Sequence, residues 1–337
     1  MRAPGFWWQR RPSLLARLLQ PLGMLYGAVA LGRMRGEGAD AGIPVICVGN
    51  FIAGGAGKTP TAMALARLAL ARGETPFVLM RGYGGRLAGP VEVDPRHHDA
   101  AGVGDEAMLM AATVRTIVAR DRPAGAAFAK GLGASLIIMD DGLQNPSLAK
   151  RLRLAVVDGA AGIGNGLCLP AGPLRAPLDG QLGQTDAVIV IGKGEAGDAV
   201  AKMAQAAGKP VLLARLKPAA AIAAQLKGRA VLALSGIGRP EKFAATLREA
   251  GATIAAERAY GDHHAYAADD VAEILAEAIK RNCLVATTEK DMVKLEPLWP
   301  AAERRRLIVV PVTLDFEAPE RIAALLDSAR RGRSEAV

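Results

Sequence analysis

Val48-Gly49-Asn50-Phe51-Ile52-Ala53-Gly54-Gly55-Ala56-Gly57-Lys58-Thr59 is the stretch on which the reading of this chain turns. An apolar strand runs into a glycine-rich loop, and the loop runs into a helical sequence. Backbone N–H groups of such a loop converge on phosphate oxygens, because glycine permits close backbone approach. The N-terminus of the following helix adds a dipole that favours the anion. Gly54, Gly55, Ala56, Gly57, Lys58 and Thr59 then form a nucleotide-binding loop. Lys58 would reach the β- and γ-phosphates, and the Thr59 hydroxyl would ligate Mg²⁺. The usual pattern wants a glycine five residues before Gly57, where this chain has Ile52. The plainer alternative is a glycine-rich strand-to-helix turn. Two relatives of the loop fit less well. Dimeric deviant phosphate-loop ATPases carry a second lysine where Ala53 stands, and Thr288-Glu289-Lys290-Asp291 lacks the spacer of a guanine clamp.

Outward from the loop, apolar runs at 44–48, 76–80, 116–118, 135–139, 154–157 and 187–191 read as buried strands. Helical stretches at 59–71, 104–112 and 123–132 lie between them. Such alternation predicts an α/β fold of the phosphate-loop NTPase type, a mainly parallel sheet with helices on both faces. A second set of strands, 211–214, 230–234, 253–256, 284–287 and 307–312, with helices at 240–250 and 268–280, predicts a smaller α/β domain. The expected division is 1–40, 41–210 and 211–337.

Residues 1–40 differ in character. Phe6-Trp7-Trp8 and two arginines precede Leu14, Leu15, Leu18, Leu19, Leu22 and Leu25, spaced along one helical face, and Arg33 and Arg35 close the segment. The apolar run 21–32 is shorter than the roughly 20 residues of a spanning helix, and no A-x-A cleavage site follows. A helix lying in the membrane interface is expected, the alternative being one whose leucines cover the protein's own core.

The remaining composition bounds the partners. A formal charge of +9 over 337 residues favours anionic ones, nucleic acid, acidic lipid or a phosphorylated substrate, or simply a solvated basic surface. No nucleic-acid module or aromatic–basic platform is visible. Cys47, Cys168 and Cys283 are too widely spaced for a metal knuckle, which points to a reducing, cytosolic compartment.

Ser135-Leu136-Ile137-Ile138-Met139-Asp140-Asp141-Gly142 is an apolar strand that ends in two acids. In a phosphate-loop fold that end is where carboxylates for Mg²⁺ belong, although Asp-Asp-Gly also makes a good turn. Gly104-Asp105-Glu106 suits a helix start, and Arg81-Gly82-Tyr83-Gly84-Gly85 is a flexible loop that either takes phosphate or sugar through Arg81 and Tyr83 or simply turns. Taken alone, Asp262-His263-His264 reads as surface, and Arg122 and Arg175 carry no local signature.

Together these segments resemble the tetraacyldisaccharide 4′-kinase family. The resemblance runs through most of the chain: the loop to Thr59-Pro60, Arg81-Gly82-Tyr83-Gly84, Val103-Gly104-Asp105-Glu106, and Asp140-Asp141-Gly142-Leu143-Gln144. Val157-Asp158-Gly159, Gly164-Asn165-Gly166, Leu169-Pro170-Ala171-Gly172-Pro173-Leu174-Arg175 and Gly236-Ile237-Gly238 follow, then Asp262-His263-His264 and Thr288-Glu289-Lys290-Asp291. The resemblance implies transfer of the γ-phosphoryl of ATP to the 4′-hydroxyl of a tetraacyldisaccharide 1-phosphate, with ATP and Mg²⁺ as cofactors. It implies Asp105 as base with His263 as partner, Arg122 as the arginine that neutralises the transferring phosphate, and Thr59, Glu106, Asp140 and Asp141 around the metal. Tyr83, Gly84 and Arg175 would face the sugar and its phosphate. The expected setting is the cytoplasmic face of the bacterial inner membrane, with a glycolipid acceptor, no nucleic acid and no protein partner. Ala176 and Asn145 depart from the family's usual glutamate and histidine. A regulatory phosphate-loop ATPase or metallochaperone without a lipid acceptor is the alternative from another class.

Overall fold

The computed structural model describes residues 3–9, 11–262 and 264–331. In chain order the strands are β1 (Val45–Asn50), β2 (Pro76–Met80), β3 (Val91–Glu92), β4 (Thr116–Val118), β5 (Leu136–Asp140), β6 (Leu152–Asp158) and β7 (Ala187–Ile191). They continue as β8 (Val211–Pro218), β9 (Ala230–Ser235), β10 (Thr253–Ala259), β11 (Leu284–Thr288), β12 (Leu307–Val310) and β13 (Val312–Phe316). One sheet has the order β13-β8-β7-β6-β1-β5-β2-β4-β3, the other β10-β9-β11-β12. Every pairing is parallel except β3 with β4 and β13 with β8.

The central strands β1, β5 and β2 are buried along their whole length, as apolar runs without polar alternation require when helices cover both faces. Ile46, Val48 and Ile138 pack against the helix Lys58–Leu70 side, whereas Phe77, Ile137 and Met139 pack on the opposite face with Ala126 and Ala129. Cys47 is a buried free thiol whose pKa burial pushes up to about 11. It serves as a small apolar side chain.

Sheet membership differs from the sequence reading in two respects. The strand at 211–218, expected to open the second domain, is β8 of the nine-stranded sheet. The run expected as one strand at 307–312 is two: β12 closes the small sheet, and β13 returns to pair with β8. Pro311 lies between them, and with no N–H to offer a ladder it lets the chain change sheets there. The chain therefore crosses between the sheets twice, side by side, where Ala219 N donates to Pro311 O (3.1 Å).

At the N-terminus a 21-residue helix, Leu14–Met34, is longer than the apolar run 21–32 suggested, because Arg17 and Gln20 lie within it. Its apolarity and its length of about 30 Å are enough to cross a membrane. Ala16, Gly23, Gly27 and Met34 form its buried face. A Cβ on Gly23 would stand 2.8 Å from the Cys168 carbonyl oxygen, and one on Gly27 2.8 Å from Cys168 Sγ, so the two glycines permit close seating on the 168–177 segment. The opposite face carries Leu14, Leu18, Leu22, Leu25 and Val29, all exposed.

A buried ion cluster joins the sheets. Asp158, at the C-terminal end of β6 and only 1% exposed, is paired with Arg239 (2.8 Å) and Lys242 from the second sheet's side. Its carboxyl is held below the ordinary range: burial pushes it up, but Lys242 and Arg239 outweigh burial. A carboxyl depressed by folding contributes stability above its unfolded pKa and loses it as pH falls through the folded value. Asp158→Asn should therefore cost about 1–3 kcal/mol at neutral pH. Urea melts should show that difference shrinking as pH is lowered past 3.8. A gap of constant size across that range would mean that the ion cluster does not supply the stability.

Candidate active site

The C-terminal ends of the parallel strands in the two sheets face each other across a cleft of about 1690 Å³. That edge is where open parallel sheets gather ligands, since every βα loop emerges there. Its lining includes residues 53–60 after β1, Arg81 to Tyr83 after β2, Asp140 and Asp141 at the end of β5, and Lys290 after β11.

The glycine loop is tied at its base by Asn50, the last residue of β1, which is wholly buried. Its Nδ2 donates to Gly54 O (2.9 Å), and its Oδ1 accepts from Lys58 Nζ (3.3 Å). Lys58 Nζ also stands 3.6 Å from Asp141 Oδ1. Gly57 caps the helix Lys58–Leu70 at φ 95°, a conformation that disfavours any side chain, and a Cβ there would meet Ile191 Cδ1 at 2.6 Å. At Gly54 and Gly55 a Cβ would meet nothing within 4 Å, so that part of the loop opens to the cleft. Ile52, the departure from the usual glycine pattern, has a physical reason. It is buried and pairs antiparallel with Leu174, while Ala53 N donates to Pro173 O (2.7 Å) and Arg175 N to Phe51 O (2.9 Å). The segment 169–175 thus brackets the loop's first half as a short ladder.

Across from the loop stand the two acids. Arg175 NH1 and NH2 donate to the Asp141 carboxylate at 2.8 and 3.3 Å, and Arg175 Nε donates to Ile52 O (3.0 Å). Burial pushes the Asp141 carboxyl up, but Lys58 and Arg175 bring it below the ordinary range. Asp140 behaves in the opposite way. Burial and the neighbouring Glu106 push its carboxyl up to about 7, and Lys58 only partly offsets them. Its Oδ1 is buried with no hydrogen-bond partner. Arg122, first residue of the helix Arg122–Gly131, is buried beside it; NH2 donates to Asp140 O (3.2 Å), and NH1 has no partner. Leaving such groups unsatisfied costs about 1–3 kcal/mol each, which a fold tolerates where a ligand completes them.

Tyr83 is 70% exposed, on a loop closed by Gly85 N donating to Gly82 O (3.0 Å). That loop lies backbone to backbone on the turn before Asp105: a Cβ on Gly104 (φ 94°) would stand 2.5 Å from Tyr83 O. Asp105 starts the helix Asp105–Ala111 and is buried, its Oδ1 accepting from Glu106 N (2.9 Å). From the other sheet, Lys290 Nζ donates to Glu106 Oε1 (3.1 Å) and Asp262 Oδ1 (3.0 Å). Burial opposes the Lys290 charge, yet Glu106, Asp105 and Asp262 together raise its pKa. Lys294 Nζ lies 3.6 Å from Asp105 Oδ2.

The family profile described as tetraacyldisaccharide-1-P 4′-kinase matches residues 15–330. The chain belongs to that family. A tetraacyldisaccharide 4′-kinase of Rhodopseudomonas palustris (strain BisB18) is 55% identical over 319 residues, covering 94% of this chain and 92% of that protein. One from Methylobacterium nodulans is 56% identical over 326 residues, covering 97% and 94%. Among solved structures, the crystal structure titled "apo" form LpxK from Aquifex aeolicus in complex with ATP superposes with a TM-score of 0.71 at 23% identity, over 94% of this chain and all of that one. That likeness is one of fold.

Within this kinase-family fold, the expected loop residues Gly54 to Thr59 line the cleft together with Tyr83, Glu106, Arg122, Asp140, Asp141 and Arg175. Asp105 sits behind Glu106, Gly84 beside Tyr83, and His263 lies outside the described residues. Among the described residues no three acidic, histidine or cysteine side chains converge on one ion position. Asp141 and Glu106 are engaged by cations, whereas Asp140 keeps a buried oxygen without a hydrogen-bond partner. The sequence reading gave no role to Asn50, Asp158, Lys290 or Lys294. For the two lysines a signal existed: they stand four apart after a Thr288 helix cap, hence on one helical face. Gly104→Ala would force a side chain at φ 94° into the Tyr83 carbonyl, so it should lower stability by about 1–3 kcal/mol. A denaturant melt that matches the wild type would show that the two loops are not locked.

Proposed function

We propose that this chain transfers the γ-phosphoryl of ATP to the 4′-hydroxyl of a tetraacyldisaccharide 1-phosphate, working on the cytoplasmic face of a bacterial inner membrane. The observation that carries this reading is the pair of buried, unpartnered groups, Arg122 NH1 and Asp140 Oδ1, lining the cleft that also holds the glycine loop. A cation and an anion left unsatisfied side by side suit a ligand that brings both phosphate oxygens and a divalent ion.

Phosphoryl transfer needs alignment and charge neutralisation more than covalent help. The amides of Gly54 to Gly57 and the Lys58 ammonium bind the β- and γ-phosphates, and Arg122 takes up negative charge on the transferring group. Asp140 fits Mg²⁺ as a hard oxygen donor whose free oxygen has no other use, and with Thr59, Asp141 and Glu106 it would hold the ion. Bound there, Mg²⁺ would neutralise phosphate charge. Asp105 accepts the proton of the 4′-hydroxyl, with His263 as its partner by family resemblance. Tyr83 and Gly84 receive the sugar, and Arg175 its phosphate.

The N-terminal helix supports the membrane setting. Its exposed leucine face is a contiguous apolar stripe of the kind soluble surfaces avoid, and each such side chain gains about 1.5–3 kcal/mol on burial. Tyr26, Ala30 and Arg33 of the same helix line the cleft, so a lipid held at that face presents its head group to the loop.

With labelled ATP, Mg²⁺ and the synthetic disaccharide lipid, the purified chain should form a 4′-phosphorylated product, and no transfer above blank would end the proposal. Lys58→Ala and Asp105→Ala should each lower kcat by about 10²–10⁴-fold. Membrane docking has a separate test. Replacing Leu18, Leu22 and Leu25 with glutamine leaves the seated face untouched and should release the protein from sedimenting vesicles; undiminished sedimentation would exclude the leucine face as the docking surface.

A further inference from the structure

The motif Thr288-Glu289-Lys290-Asp291 fits no guanine clamp, and the proposed chemistry leaves it without a task. Its geometry supplies one. Thr288 caps the helix Glu289–Leu295, accepting from Asp291 N (3.1 Å), and the cap sets Lys290 and Lys294 on one face, four residues apart. Lys290 meets Glu106 and Lys294 meets Asp105, so two lysines of one sheet's helix engage two consecutive acids of the other.

Lys294 is held from behind. Asp291, wholly buried, accepts from Gly236 N (2.9 Å), Thr288 Oγ1 (2.7 Å) and Tyr266 Oη (3.1 Å), and so forms a rigid anion. Lys294 Nζ stands 3.6 Å from Asp291 Oδ1 and 3.6 Å from Asp105 Oδ2, and 5.4 Å from the centroid of the Tyr266 ring. It is buried and makes no hydrogen bond. An ammonium in that position attracts Asp105 Oδ2 by charge without being its hydrogen-bond donor, while Glu106 N fixes Oδ1.

We propose that Lys294 is a positioning residue for the transfer reaction, an ammonium from the second sheet that holds the Asp105 carboxylate in its working orientation. The inference rests on the assignment of Asp105 as base. It makes the base complete only when the two sheets close on each other, because the second sheet carries the cation.

Lys294→Met keeps an unbranched apolar stem and removes the terminal ammonium. It should lower kcat by about 10–100-fold while the KM values for ATP and lipid stay within about threefold, and Lys294→Arg should recover most of the rate. In an Asp105→Asn background, Lys294→Met should add no more than about a twofold loss, since the group it positions is gone. If Lys294→Met lacks a thermal unfolding transition, Lys294→Gln takes its place and is read by the same criteria. Wild-type kcat in the charge-free variant, or an undiminished loss in the Asp105→Asn background, would overturn the role of Lys294 and leave the kinase reading standing. Absence of lipid phosphorylation by the wild type would remove the assignment beneath it.

Discussion

A carboxylate buried at the edge of a parallel sheet is tolerable only beside a cation, and in this molecule most of the cations come from across the cleft. Asp158 at the end of β6 is neutralised by Arg239 and Lys242, Glu106 by Lys290, and Asp105 by Lys294. An uncompensated buried charge costs several kcal/mol, so the buried Asp158 and Asp105 depend on the contact between the sheets. Sheet contact and site charge are thus one constraint. Asp140 is the exception: burial and the neighbouring Glu106 drive its pKa up, Lys58 only partly offsets them, and its buried Oδ1 has no hydrogen-bond partner. The exception falls where the proposed chemistry needs an exogenous cation.

The covalent connection across that contact is narrow. Only β8 and its antiparallel partner β13 lead from one sheet to the other, and both crossings lie side by side near Ala219 and Pro311. Two adjacent strands make a narrow connection, and the ion pairs lie on the cleft side of it. A kinase must admit its substrates and then exclude water. In the proposed reading, a narrow strand link with ion pairs set across the cleft serves both demands.

Several of these features were readable in the sequence because they are local. Apolar runs without alternation predicted β1, β2, β5 and β7 within about two residues, and the glycine loop and the Asp140-Asp141 strand end announced themselves by type and spacing. What escaped was set by distance or by context. The run 307–312 is uniformly apolar and reads as one strand, yet Pro311 divides it between sheets. β8 reads as the first strand of a second domain, but it lies between β7 and β13 in the larger sheet. Lys290 and Glu106 are 184 residues apart, so nothing local could join them. Ile52 looked like a flaw in the loop and is a strand position, because Leu174 pairs with it from far along the chain.

The N-terminal helix has two faces with different demands. Gly23 and Gly27 bring its backbone against residues 168–177, the segment that also brackets the glycine loop, so the helix is registered to the site through a few intervening residues. Leu14, Leu18, Leu22 and Leu25 point away from that seat and are exposed. Were the helix present only to cover the 168–177 segment, its outer face would be polar, as on ordinary surface helices. In the proposed reading the bilayer covers that face. A helix seated rigidly on the site and apolar on its free side fixes the height of the cleft relative to the lipid surface. For an acceptor whose acyl chains stay in the membrane, that height decides whether its sugar hydroxyl can reach the γ-phosphate.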